Sequence, residues 1–134
     1  MRKTSIVTSF LKKNDKILIL KRSNKVKTMK GLWSGISGII ENSEPPVDRA
    51  IIEIFEEVGI VKNDITLVKM SEELTIDSPQ YKNHQWVIHP FLFFTEKNEI
   101  KLNWENSEFR WINQNELKQF ETVPSLEKVL LSLL

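Results

Sequence analysis

A chain of 134 residues, 40% hydrophobic and 28% charged, has the size and composition of one globular domain, read here as spanning 1–134. No apolar run approaches the ~20 residues that cross a bilayer, so no membrane partner is expected. With no cysteine, disulfide frameworks, thiolate nucleophiles and zinc–thiolate sites are excluded, and the expected compartment is the cytoplasm. The net charge of +1 is unevenly spread: residues 1–30 carry ten Lys or Arg against Asp15 alone, a net +9 that leaves −8 on the rest. That split suits a solvated lysine-rich surface, or a polyanionic ligand held between bases and acid-bound metal. Only four of the nineteen bases are Arg and no aromatics interleave them, so a nucleic-acid polymer is not an expected partner.

Taken in chain order, Met1-Arg2-Lys3 followed by Thr4–Leu11 reads as the approach to a first strand rather than a signal peptide. Ser5–Leu11 and Lys16–Lys21 are β-rich runs around a hairpin turn at Lys13-Asn14-Asp15. Residues 23–38, punctuated by Gly31, Gly35 and Gly38, read as loop with short extended pieces. Ser43-Glu44-Pro45-Pro46 announces a helix, with Ser43 as a cap and prolines in the first turn; Gly59 supplies the stop. Between them Val47, Ala50, Ile51, Ile54 and Val58 form a core-facing stripe at helical period. Trp86–Phe94 and Phe109–Ile112 read as strands, with Pro90 marking an edge or a bulge. Asn113–Phe120 and Ser125–Leu134 read as helices, the latter with Leu126, Val129, Leu130 and Leu134 facing inward. Strands around one strongly marked helix, with helices at the end, give an α/β (α+β) layered domain.

On the marked helix, Glu53, Glu56 and Glu57 fall within one arc, expected opposite the apolar stripe. Three like charges on one turn repel unless a cation compensates them. Mg²⁺ favours such oxygen ligands, completing its shell with waters and substrate phosphates; the alternative for the trio alone is a solvated acidic face.

Gly38, Glu44, Glu53, Ile54, Glu56, Glu57, Gly59 and Ile60 have the spacing G-x5-E-x7-(R)-E-U-x-E-E-x-G-U, where U is aliphatic, over residues 38–60. This resembles the Nudix box. Gly31-Leu32-Trp33 and Ser37-Gly38-Ile39-Ile40-Glu41 resemble the family's lead-in, and Glu108-Phe109-Arg110-Trp111 with Glu116-Leu117 its closing strand and helix. The chain is thus identified by resemblance as a MutT-like Nudix hydrolase. His89-Pro90, Trp104-Glu105 and Val123-Pro124 resemble an archaeal-type subgroup. The resemblance implies an α/β/α sandwich with a mixed central sheet. It also implies metal binding by Glu53, Glu56, Glu57 and the Gly38 carbonyl, with these three glutamates as the catalytic set and Glu53 as the candidate base. The implied cofactor is Mg²⁺, with Mn²⁺ as a substitute. The implied reaction is cleavage of a nucleoside diphosphate linked to another moiety X, so the expected partner is a small-molecule nucleotide; a homodimer is admitted as an assembly.

Ile52 stands in the arginine slot of the box, and Ile36-Ser37 replace a frequent Pro-Gly. Arg49, four residues before Glu53, is the candidate orienting residue in place of that arginine, or else a solvated side chain. Arg22 is a candidate for substrate phosphate, Trp33 for stacking on a base, and Glu105 for a further ligand or base. The competing readings are a surface Arg, a packed Trp and a polar loop. His89 reads as structural, His84 as exposed loop, and Glu72-Glu73 as solvated. Because of Ile52, a catalytically weak module that binds a nucleotide or a protein stands as the second functional reading.

Overall fold

The computed structural model describes residues 1–78 and 81–134. Strands β1 (Arg2–Lys13) and β2 (Lys16–Arg22) are joined by the two-residue turn Asn14-Asp15, with φ of 49° and 63°. Two successive positive φ values match the right-handed twist of the flanking strands, and Asn and Asp tolerate them better than most residues. β1 is longer than the expected Ser5–Leu11. Its parallel partner β7 (His84–Thr95) pairs with it from Arg2↔His84 to Lys12↔Phe94, supplying backbone bonds that local sequence does not reveal.

The sheet is mixed, in the order β3 (Trp33–Ser34), β2, β1, β7 and β5 (Ile65–Met70). β1 changes partner along its length: Lys12 and Lys13 pair with β2, whereas Ile6–Ser9 pair with β4 (Ile36–Ile39). Beyond the hairpin base β2 pairs instead with β3 (Trp33–Ser34) and β8 (Asn106–Ile112). The strands therefore form two groups joined at one hairpin. The outer side of β7 is shared by β5 (Ile65–Met70) and β6 (Leu74–Asp77) in tandem.

β7 is not an edge strand, contrary to one reading of Pro90. The Pro90 carbonyl accepts a bond from Ser71 N–H at 3.3 Å. The missing N–H therefore faces the junction where pairing passes from β5 to β6, the place in a central strand that can spare a donor.

Helix α1 (Pro46–Val58) packs Ala50, Ile54 and Val58 with Val7, Leu11, Leu18, Leu20, Phe91 and Phe93 on one face of the sheet. Ser43 does not cap it: the N-cap is Pro45, in extended conformation, with Pro46 at the first helical position. Gly59, at φ 78°, closes the helix as expected, its N–H reaching Phe55 O. The other face carries α2 (Leu126–Ser132) and a short 3₁₀ helix, Gln114–Gln119, over Phe10, Ile17, Ile19, Ile88 and Leu92. Asn113 and Glu116 form a reciprocal capping box on the 3₁₀ helix, which replaces the longer helix expected there. In α2 the inward residue at the end is Leu133, whereas Leu134 is exposed. No described helix is long and apolar enough to cross a membrane. The architecture is α/β/α.

Candidate active site

Helix α1 brings Glu53 and Glu57 to the border of its apolar stripe rather than opposite it. Glu53 is 8% exposed and Glu57 3%, while Glu56 one turn away is open to solvent. Burial is possible because Gly38 of β4 has no side chain. A Cβ there would lie 2.3 Å from Glu53 Cδ and 2.4 Å from Cγ, so Glu53 lies directly against the glycine backbone.

Desolvation dominates the protonation of the pair. It raises the pKa of Glu53, with the charges of Glu56 and Glu105 adding to the shift; Arg49 opposes it by hydrogen bonding. Burial, then the charges of Glu105 and Glu53, push Glu57 well above the carboxylate range. Asn106 Nδ2 donates to Glu57 Oε1 at 3.1 Å, whereas the buried Glu57 Oε2 has no partner. An orphaned buried carboxylate oxygen is costly in a folded protein and marks a place for a missing ligand.

Arg49 sits among three acids. Its Nε donates to Glu44 Oε1 at 2.6 Å, Nη1 to Glu53 Oε2 at 3.1 Å, and Nη2 to Glu44 Oε2 at 3.2 Å and Glu41 Oε2 at 3.4 Å. The Glu44 contact is the larger of the influences that raise its pKa. Ile52, in the arginine slot, is 39% exposed.

Arg22 lies at the β2 end where the β2–β8 register shifts between Lys21 and Arg22, which sets it opposite Asn106. Its Nε and Nη2 donate to Thr28 O at 3.2 and 3.0 Å. Burial lowers its pKa, and Glu57 and Glu105 oppose the shift. Glu105 is fixed nearby because Ser23 N–H bonds its carbonyl at 2.8 Å. Arg22, Gly38, Arg49, Glu53, Glu56 and Glu105 all line one cavity of about 430 Å³.

Trp33 does not join them. It is buried in the α2-side core, edge-on to Phe120 at 5.2 Å with Arg110 over its ring, so its faces are occupied and the stacking role falls away. His84 is a buried residue bonded to Thr4 Oγ1 at 2.6 Å rather than an exposed loop. Asn106 and Glu41 were not foreseen; Asn106 follows Glu105 directly, but only the strand register reveals that it meets Glu57.

Among the described residues no three acidic or histidine side chains already converge as a ready-made metal cage. The donor set nevertheless fits a hard divalent cation. Two desolvated carboxyls, one with an unpartnered oxygen, adjoin an exposed third, and Mg²⁺ needs only one or two carboxylates besides waters and phosphates.

The chain is thus an α/β/α domain: a mixed sheet between helices, with a glutamate-rich helix set against Gly38 of β4. The sequence profile of the NUDIX domain matches residues 1–133, and the chain belongs to that family. Comparison with curated proteins finds none similar enough to match. Among solved structures, the MutT protein from Methanosarcina mazei Go1 is 18% identical with a TM-score of 0.75, covering 96% of this chain and 90% of its own. A C. elegans Ap4A hydrolase binary complex is 17% identical with a TM-score of 0.75, covering 98% of this chain and 94% of its own. A MutT NUDIX hydrolase from Burkholderia pseudomallei is 20% identical with a TM-score of 0.75, covering 98% of both chains. These similarities establish a shared fold.

Proposed function

We propose that this chain is a divalent-cation-dependent hydrolase that cleaves the diphosphate of a nucleoside diphosphate linked to a moiety X, in the cytoplasm. The observation that carries the reading is the buried, unpartnered Oε2 of Glu57 beside the desolvated Glu53. Glu53, Glu56 and Glu57, with the Gly38 carbonyl, would hold the cation, Mg²⁺ or Mn²⁺. Such an ion neutralises diphosphate charge and lowers the pKa of a bound water.

The protein's own groups are divided to suit that task. Asn106 occupies Glu57 Oε1 and leaves Oε2 for ligation. Arg49 occupies Glu53 Oε2, which fixes the rotamer and leaves Oε1 to orient the attacking water or take its proton. Glu105, facing the same cavity, is the second candidate for that proton. Arg22 keeps Nη1 free of its Thr28 contacts and directs positive charge at substrate phosphate.

The test is a panel of dinucleoside polyphosphates, sugar nucleotides and oxidised nucleotides, assayed with Mg²⁺ or Mn²⁺ for release of a monophosphate. Metal-dependent binding without turnover across the panel would establish instead the weak binding module that Ile52 keeps in play.

A further inference from the structure

Strand β5 ends the strand order, and among the described residues nothing pairs with its outer edge. Its register with β7 sorts its side chains between the faces. Ile65, Leu67 and Met70 stand opposite Thr95, Phe93 and Phe91, on the α1 face; Thr66 and Lys69 stand opposite Phe94 and Leu92, on the α2 face. The carboxylate border of α1 lies against Gly38 of β4, across β1 from β7, so the other border, with Phe55, is turned toward β7 and β5. Phe55, Leu67 and Met70 are all exposed. An open edge beside apolar side chains is a template for another strand, and proteins guard such edges with proline or charge. β5 has no proline, and its single charge, Lys69, is drawn to the α2 face, where Nζ donates to Leu134 O at 3.3 Å. Charge is instead sorted to the ends, with Lys62 before the strand and Glu72-Glu73 after it, all exposed. Glu73 lies 3.7 Å from His89 and Asp64 3.6 Å from Lys97, whereas Lys62 and Glu72 make no ion pair among the described residues.

We propose that a second copy of this chain docks here, the two β5 strands pairing antiparallel about a two-fold axis at Leu67. Charge and symmetry name the occupant. A strand with a basic start and an acidic end is complementary to itself in the antiparallel sense, because each start then lies beside the other's end. Lys62 of each copy thereby meets Glu72 of the other, twice over. On the α1 face Leu67 stands against Leu67 and Ile65 against Met70, with Phe55 of each copy beside the row; such cross-strand apolar and opposite-charge pairs are what stabilise a sheet. A two-fold contact uses the same edge of both copies, so the assembly closes at two and leaves no β5 edge open to further growth. The carboxylate border of α1 is turned away from β5, so each copy keeps its own glutamates and cavity. The inference is independent of the hydrolase reading.

The experiment is sedimentation velocity of the full chain across a concentration series. One strand pair with its side-chain cover makes a small interface, so a monomer–dimer equilibrium with a dissociation constant of roughly 1–100 μM is expected, and no larger species. Leu67→Lys sets two like charges against each other at the axis and should weaken association by about tenfold or more. Lys62→Glu and Glu72→Lys should each weaken it by roughly threefold to tenfold, and the double variant, which exchanges the two signs, should return to within about threefold of the wild type. A protein that stays monomeric through the millimolar range overturns the proposal and leaves the edge to some other partner. Growth beyond the dimer, a dimer that Leu67→Lys leaves as tight, or a double variant no tighter than both singles overturns it as well. Should Leu67→Lys fail to fold, the charge exchange, confined to exposed side chains outside the strand, decides. The readout needs no turnover, so an inactive dimer refutes the hydrolase reading alone, and an active monomer refutes the docking alone.

Discussion

Removing Arg49 tests whether a relocated cation braces the glutamate cluster. An exposed i, i+4 ion pair contributes only ~0.3–0.5 kcal/mol. Here the Arg49 and Glu53 side chains are 12% and 10% exposed, and the guanidinium fork spans Glu44 as well, which reduces the conformational freedom Arg49 retains. Charged hydrogen bonds with restricted solvent are worth ~1.5–3 kcal/mol, and solvent at the mouth of the cavity discounts this to about 1.4 kcal/mol for the Glu53 contact, or tenfold in rate. Arg49→Ala should therefore lower kcat about tenfold at saturating Mg²⁺. It also removes the largest influence opposing the upward shift of Glu53. A higher pKa means the working carboxylate is lost sooner as pH falls, so the acid limb of the pH–kcat profile should move to higher pH. Arg49→Lys should fall between, keeping charge without the fork. Ile52→Arg should do little to the wild type, whose Glu53 is already bonded, yet restore much of the activity of Arg49→Ala. Full pH–rate profiles and melting curves for the four proteins decide the matter. A silent Arg49→Ala, with its acid limb superimposed on wild type, refutes the reasoning.

Glu53→Gln and Glu57→Gln should each lower kcat by ~10² or more while metal-free Tm holds or rises, because a buried charge is gone; the exposed Glu72→Gln should match wild type, and near-normal activity in both site variants would remove the assignment. Metal-free stability should depend on pH through Glu57. Its folded pKa lies above the unfolded value of about 4.3, so its contribution is complete below that value and is lost as pH rises through the folded pKa. Tm should then decline as pH rises above that unfolded value, more shallowly in Glu57→Gln, with Mg²⁺ restoring it at the upper end; a flat wild-type profile counts against the buried pair. Gly38→Ala should cut kcat at least tenfold with the fold intact by circular dichroism, since the new Cβ would take the place of Glu53 Cδ; unchanged kinetics would show that Glu53 can work from elsewhere.

The elements with strong local signals were legible from sequence. Asn14-Asp15 declared the hairpin, the 3.6-residue stripe declared α1, and Gly59 its end. What escaped depended on partners distant in the chain. β1 runs to Arg2 because β7 pairs with it, and Pro90 is tolerated at mid-sheet because β5 hands over to β6 opposite it. β5 itself shows little burial: Leu67, Val68 and Met70 are all exposed, so no inward–outward alternation marks it. Leu133 and Leu134 exchanged roles because a one-residue error at a fraying helix end turns the face by ~100°.

The spacing of the box located the carboxylates, but their burial was misjudged for a physical reason. A helical wheel places Glu53 and Glu57 by angle alone, whereas their exposure depends on what lies across from them, and across from Glu53 lies a strand residue without a Cβ. The same limit applies to the cation that serves them. In the usual box the arginine precedes the glutamate by one residue, ~100° around the helix, and must curl to its target. Arg49 instead lies one turn before Glu53, on the same ridge, and its side chain also meets Glu44 and Glu41 in the loop leading into α1. One guanidinium thereby ties the loop to the helix and the helix to the carboxylate proposed as the working one. The freed position, Ile52, points outward beside Phe55, where it is partly exposed and touches none of the site's charges through any polar atom. On the proposed reading, a displaced arginine preserves the bracing because what it must supply is positive charge and a planar fork near Glu53 and Glu44, and Arg49 supplies both from one turn earlier on the helix.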